Sequence, residues 1–177
     1  MWREFKPEEI VSEDRVIDKI ELVKNFLNDS KCKETLLTTP KDLSDFLKKE
    51  VAKIPGVYCI YNLEGKEVLD VGKSKNLYMR IREQLIGAKS SEDGRLKFPR
   101  LFFAVLKREK EIKEKDYNVL PAETKDKLVK FYQNIIFKSG NALRICFTKD
   151  HLSAIVLEQV IIQFFKNKGQ CKYNYQV

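Results

Sequence analysis

Hydrophobic residues recur at helical spacing in several stretches of the chain. Near its start, Val16, Ile20 and Val23 lie three or four residues apart, as on one buried helix face. The same spacing, with stop signals such as Gly169, predicts further helices along the chain. The predicted helices cover residues 12–29, about Pro40 to before Pro55, about Asn76 to Leu85, 125–137 and about His151 to Lys168.

Strand patterns lie between these helices. Residues 57–61 and 67–71 are short, β-branched and aromatic, and the loop between them contains Gly65, so they are predicted to form a hairpin. A three-residue loop would place Tyr58 directly opposite Asp70, on the same face of the sheet. Two more strands are predicted over residues 101–106 and 142–148.

Composition narrows the class of protein. Hydrophobic residues make up 43% of the 177 residues, which is enough for a core, and no apolar run is long enough to span a bilayer. The N-terminus lacks the apolar segment of a signal peptide, so a cytoplasmic protein with no membrane partner is expected. The four cysteines form no CxxC pair and only one histidine is present, which argues against a zinc finger. Thiols in a reducing compartment are expected rather than disulfides.

The net charge is +8, and the basic excess lies in the last two thirds of the chain. A nucleic-acid phosphate backbone is an obvious partner for such a charge. A solvated, lysine-rich surface explains the same charge, so this observation alone does not decide between them.

The last predicted helix is apolar nearly all round, with Glu158 in its middle. A buried carboxylate needs a cation, a donor network or a proton, and a metal ion would satisfy it. The helix alone favours a simpler interpretation, in which Glu158 shares a narrow wet stripe with Gln159, Gln163 and Lys166.

An ordered set of short motifs favours the metal-binding interpretation of Glu158 instead. Ile54-Pro55-Gly56-Val57-Tyr58 is followed by Val71-Gly72-Lys73-Ser74-Lys75-Asn76-Leu77 and then Arg80, and Leu157-Glu158 and Tyr173-Asn174 come near the end. This set resembles the signature of the GIY-YIG nuclease superfamily. The resemblance covers residues 54–86 and 143–175. One departure is that Asp70 stands where the family has its second tyrosine, and Cys171 stands where proline is usual.

The resemblance implies an α+β fold with a three-stranded, mainly antiparallel sheet flanked by helices. It divides the chain into an N-terminal helical extension over residues 1–50 and a nuclease domain over 51–177. A helical insertion at about 88–141 interrupts that domain.

The resemblance also implies a magnesium- or manganese-dependent site. Glu158 would hold the metal, and Tyr58 would orient or deprotonate the attacking water, with its pKa lowered by Lys73 and Arg80. Arg80 would also bind the scissile phosphate. The catalytic residues expected from the resemblance are Tyr58, Asp70, Lys73, Arg80, Glu158 and Asn174. The residues expected to contact DNA are Lys73, Lys75 and Arg82. Asp70 could hold the phenol or the water, or it could mark an inactive relative.

The expected activity is metal-dependent cleavage of double-stranded DNA. The short decorated core resembles compact type II restriction enzymes, which implies a possible homodimer and a cognate DNA methyltransferase. A mobile-element or repair nuclease is one alternative, and a non-catalytic nucleic-acid-binding module is another.

Overall fold

The computed structural model describes residues 32–64, 67–86, 100–167 and 172–173. The predicted helix over residues 12–29, the loop glycine Gly65 and the site residue Asn174 lie outside these ranges. The elements in chain order are β1 (Lys33–Leu36), α1 (Pro40–Glu50), β2 (Gly56–Asn62), β3 (Glu67–Ser74), α2 (Leu77–Ile81) with a π-helical turn (Arg82–Ile86), α3 (Arg100–Lys110), α4 (Glu114–Asn118), α5 (Ala122–Ile136), β4 (Asn141–Phe147) and α6 (His151–Asn167).

The fold is α+β, as predicted, and the described residues form a sheet of four strands in the order β1-β4-β2-β3, all antiparallel. The predicted strands of the hairpin and of residues 142–148 supply the three strands β2, β3 and β4. The fourth strand, β1, was not predicted, because its sequence Lys-Glu-Thr-Leu is short and largely exposed and lacks a hydrophobic period.

The two faces of the sheet are covered by different helices. Val57 and Cys59 of β2 face α6, whose buried side chains include Leu157 and Ile161. Tyr58 and Ile60 point the other way, into a larger core with α1, α2, α3 and α5. Because both faces are buried, β2 is apolar at consecutive positions rather than alternating.

The hairpin has a different register from the predicted one. Tyr58 lies opposite Gly72, and Asp70 lies opposite Ile60, with a bulge between Ile60 and Tyr61. The prediction that Tyr58 directly faces Asp70 is therefore wrong by two residues. Because side chains alternate with a period of two, this shift leaves Tyr58 and Asp70 on the same face.

The predicted strand over residues 101–106 is wrong, since these residues belong to helix α3. Five of them are buried, and the helix ends in a run of exposed basic side chains. The ring of Phe102 packs edge-on against Tyr117 and Tyr132, each with centroids 5.3 Å apart. A short apolar run fits a strand or a buried helix equally well, and here packing against α4 and α5 decides the outcome.

The expectation of unlinked thiols is wrong for one pair, because Cys32 and Cys146 form a disulfide. Lys33 of β1 lies opposite Ile145 of β4, so the preceding residue falls opposite Cys146. Their Cα atoms are 4.6 Å apart, which is within the range for a disulfide. The pairing depends on β1 and so could not be foreseen without that strand. Cys59 is a buried thiol.

The predicted helix boundaries agree well with the structure. Pro40 is the first residue of α1, where its missing N–H costs nothing, and Thr39 caps that helix by accepting from Asp42 N at 3.1 Å. The predicted cap Asp150 accepts a hydrogen bond from Ser153 N at 2.8 Å at the start of α6. Within the described ranges, none of the helices combines the length and the apolarity that a bilayer crossing requires.

Candidate functional site

The candidate site begins at a close contact between Tyr58 and Gly72. These residues are cross-strand neighbours, and the Tyr58 ring occupies the space that a Cβ atom on residue 72 would need. A Cβ atom at residue 72 would come within 2.6 Å of Tyr58 Cε1, and the hydroxyl oxygen lies nearer still. Only glycine therefore leaves room for the ring, which gives the Val71-Gly72 motif a structural reason.

The Tyr58 hydroxyl lies beside Asp70, which is two residues from Gly72 on the same strand. The hydroxyl donates a hydrogen bond to Asp70 Oδ2 at 3.1 Å. Tyr58 is 1% exposed and Asp70 is 4% exposed, so the pair is buried. Asp70 thus holds the phenol, which is one of the two roles expected for it.

Burial raises the pKa of Asp70 from its ordinary 3.8 to about 7. The charges of Arg100 and Arg80 and the hydrogen bond from Tyr58 act in the opposite direction, and the charge of Glu158 adds to the rise. A carboxyl group with this pKa can exchange a proton near neutral pH, which an ordinary aspartate cannot do.

Burial also raises the pKa of Tyr58, to well above its ordinary value. The Asp70 carboxylate adds to the rise, and the Arg80 charge only partly opposes it. Arg80 thus acts in the expected direction, but burial outweighs it, so the expectation of a lowered pKa for this tyrosine is wrong. The phenol remains protonated at neutral pH and acts as a hydrogen-bond donor.

Arg80 lies on α2, directly after the signature loop. Asn76 caps this helix by accepting from Met79 N at 3.1 Å, and Leu77 and Ile81 are buried as predicted. Arg80 itself is half-buried, and its charge acts on both Tyr58 and Asp70. The structure thus brings Arg80 to the buried pair.

Lys73 and Glu158 meet on the other face of the sheet. Lys73 of β3 forms an ion pair with Glu158 Oε2 of α6. The Glu158 side chain is 6% exposed and the Lys73 side chain is 28% exposed. The alternative of a shared wet stripe on α6 does not hold, because Gln159 and Gln163 are exposed whereas Glu158 is buried.

The group of Tyr58, Asp70 and Arg80 and the Lys73–Glu158 pair come near each other at β3. This strand lies at the edge of the sheet. Asp70 and Lys73 lie on this strand and face opposite sides of it. Glu158 is close enough for its charge to act on Asp70. Next to Asp70 along β3, Leu69 accepts a backbone hydrogen bond from Tyr173 at 2.8 Å. Tyr173 immediately precedes Asn174, which the described ranges do not include.

Three further residues near the pair were not foreseen from the sequence. Arg100, the exposed first residue of α3, acts on Asp70 through its charge. Gln84 Oε1 accepts from Leu101 N at 3.1 Å, and the Tyr132 hydroxyl donates to the Gln84 backbone oxygen. These contacts join the insertion to the helix of Arg80. No local motif marks these residues, because the contacts bridge separate elements.

The two other predicted DNA-contacting residues flank Arg80. Lys75 is exposed in the turn after β3, and Arg82 is half-buried at the start of the π-helical turn. Their positions leave both cations accessible from solvent, and a contact with DNA stays a prediction. Among the described residues, no group of three or more histidine, cysteine or acidic side chains forms a ready-made metal site.

Comparison of the chain with protein-family profiles, with curated protein sequences and with solved structures gives no match.

Proposed function

We propose that this chain is a metal-dependent endonuclease that hydrolyses phosphodiester bonds in double-stranded DNA. The observation that carries the proposal is the buried Tyr58–Asp70 pair, with the Arg80 and Glu158 charges both acting on Asp70. Asp70 thereby lies within range of the charges of Arg80 and Glu158, which the GIY-YIG resemblance groups with it, although Glu158 lies on the other face of the sheet. The net charge of +8 is consistent with a polyanionic substrate.

The donor set suits a weakly held hard cation. Glu158 supplies one buried carboxylate, and Mg²⁺ commonly uses one or two carboxylates with water and substrate phosphates as its other ligands. Glu158 would hold the ion, which would supply Lewis-acid stabilisation of the negative charge on the phosphate and on the leaving oxygen. Mn²⁺ prefers the same oxygen ligands.

Asp70 is the better base of the buried pair, because its pKa is about 7 whereas that of Tyr58 is well above its usual value. In the proposed reaction a water oxygen forms a bond to phosphorus while the water proton passes to Asp70. The bond from phosphorus to the 3′ oxygen breaks, and that oxygen leaves with the electron pair and is then protonated by solvent. Tyr58 keeps the carboxylate oriented by donating to Oδ2.

Arg80 acts on the phosphate in this proposal. Its guanidinium can donate two parallel hydrogen bonds to phosphate oxygens, and these strengthen as charge develops in the transition state. The loss of one such donor typically lowers the rate by about 10²–10³-fold. Asn174 is proposed as an anchor in the site by analogy with the family.

A type II restriction-like enzyme is the preferred form of this activity. The described helices α1, α3 and α5 pack on one face of a small sheet without forming a separate domain of their own, since they share one core with it. A homodimer would then cut both strands, and a cognate methyltransferase would protect the host DNA. Sequenced ends of digested plasmid discriminate here, because one short recurrent site indicates restriction. Scattered or structure-dependent ends indicate a mobile-element or repair nuclease.

A non-catalytic nucleic-acid-binding module is the second candidate function. It is favoured by the burial of Tyr58, which is only 1% exposed, and by Asp70 in the place of a tyrosine. Tight duplex binding without metal-dependent strand breaks would support it.

The proposed function is tested by single-turnover cleavage of duplex DNA in Mg²⁺ and in Mn²⁺. Arg80→Ala and Glu158→Gln should lower the rate at least about 10²-fold while the far-ultraviolet circular dichroism stays native. Glu123→Gln removes an exposed carboxylate from α5 and should leave the rate unchanged. Cleavage by Glu158→Gln at the wild-type rate would exclude the metal assignment.

A further inference from the structure

Glu158 is a nearly buried carboxylate whose Oε2 atom is bound by Lys73. Only 6% of the Glu158 side chain is exposed, whereas the Lys73 side chain that binds it is 28% exposed. The ammonium group is thus bonded to Oε2 of Glu158 while part of the lysine side chain reaches solvent. A cation that binds Oε2 of Glu158 must therefore displace the ammonium group of Lys73 or share the oxygen with it.

Elementary electrostatics explains why the lysine is there. A buried carboxylate without a counter-charge is strongly destabilising, so a site that is to hold a metal ion only part of the time needs another cation at other times. Lysine suits this role, because its ammonium is a compact charge on a flexible chain and can exchange partners. An arginine fork would bind the carboxylate more rigidly.

We propose that Lys73 is a built-in counter-cation of the Glu158 site, which holds the carboxylate until a divalent cation displaces it. This inference rests on the proposed metal-dependent function and adds a competition within the protein. The displaced lysine is next to Gly72 on the strand of Asp70, so a DNA phosphate is a suitable new partner for it. Metal binding and DNA binding then favour each other, because each stabilises the state with Lys73 away from Glu158.

The competition is tested by titrating the free protein with Mn²⁺ and following the electron paramagnetic resonance signal of unbound metal, without DNA. Lys73→Met keeps the length of the side chain and removes its charge, so it should bind Mn²⁺ about tenfold more tightly than wild type. Lys73→Arg should bind more weakly than wild type, since the guanidinium competes better. The two substitutions therefore move the affinity in opposite directions.

A charge-matched control separates competition from general electrostatics. Lys130→Met removes an exposed lysine from α5, on the other side of the sheet, and should leave the affinity within about twofold of wild type. Thermal melting of each variant establishes that it is folded, and Lys73→Arg retains a cation for Glu158 if Lys73→Met does not fold.

The outcomes separate this inference from the proposed function. Loss of Mn²⁺ binding in Glu158→Gln, together with equal or weaker binding in Lys73→Met, overturns the competition and leaves the metal site standing. Equal tightening in Lys73→Met and Lys130→Met also overturns it, because net charge then explains the effect. Unchanged binding in Glu158→Gln, or no binding in wild type, overturns the metal site and the counter-cation together.

Discussion

Replacing Asp70 by asparagine tests whether the Asp70 carboxyl group in the candidate site is protonated near neutral pH. Asparagine has the same shape and its oxygen can still accept the hydrogen bond from Tyr58, but it cannot ionise. In wild type, Asp70 is buried and its pKa is raised to about 7. The substitution therefore removes one titration and leaves most of the packing intact.

The magnitude follows from the difference between the folded and unfolded proteins. The pKa of Asp70 is about 7 when folded and 3.8 when unfolded, about three pH units apart at about 1.4 kcal/mol per unit, so its ionisation costs the fold about 4 kcal/mol. Because the folded pKa is the higher one, the protonated Asp70 makes its full contribution to stability below pH 3.8. That contribution is lost as the pH rises to about 7 and Asp70 ionises in the folded protein. Between pH 5 and pH 8 wild type should lose about 2–3 kcal/mol of stability that Asp70→Asn does not lose.

Urea denaturation of wild type and Asp70→Asn from pH 5 to pH 8 measures this effect. The free energy of unfolding of the variant minus that of wild type should rise by up to about 1.4 kcal/mol per pH unit and level off above pH 7. Other titrating groups largely cancel in the difference. A difference that stays flat across this range would refute the argument that Asp70 is protonated in the folded protein near neutral pH.

Three more predictions concern separate contacts. Gly72→Ala should destabilise the fold by about 1–3 kcal/mol through overlap with the Tyr58 ring, and this penalty, measured by urea denaturation, should largely disappear in a Tyr58→Val background. Arg100→Gln should move the acid limb of the pH–rate profile for DNA cleavage to higher pH, because it removes a charge that lowers the pKa of Asp70; an unmoved limb contradicts this. Cys32→Ala should lower stability by about 2–4 kcal/mol under oxidising conditions, and wild type treated with a reductant should match it in thermal melting.

Much of the fold could be predicted from periodicity, because most of its elements have one strongly buried face. The hairpin of β2 and β3, the strand β4 and helices α1, α5 and α6 follow from local patterns in the sequence. The error over residues 101–106 arose where apolar residues stand next to one another, so that no period separates a strand from a helix. Strand β1 was missed because its stability comes from pairing with β4 rather than from its own composition.

The candidate site was predictable to the extent that its residues belong to motifs. Tyr58 and Asp70 were expected on one face, and the two-residue register error did not affect that, because it preserves the alternation of side chains. The direction of the Tyr58 pKa shift could not be predicted, since it depends on burial by α2 and α5. Arg100 and Gln84 carry no sequence signal, because their positions arise from packing between the insertion and α2.

Nicking of supercoiled plasmid measures the proposed metal-dependent cleavage of DNA directly. The wild-type chain should convert the plasmid to open-circular or linear DNA in Mg²⁺ or Mn²⁺, and an excess of EDTA should stop this conversion. Glu158→Gln protein from a parallel purification should leave the plasmid supercoiled under all three conditions. Intact plasmid with folded wild-type protein in both metals, or equal nicking by Glu158→Gln, would show that Glu158 does not support metal-dependent cleavage.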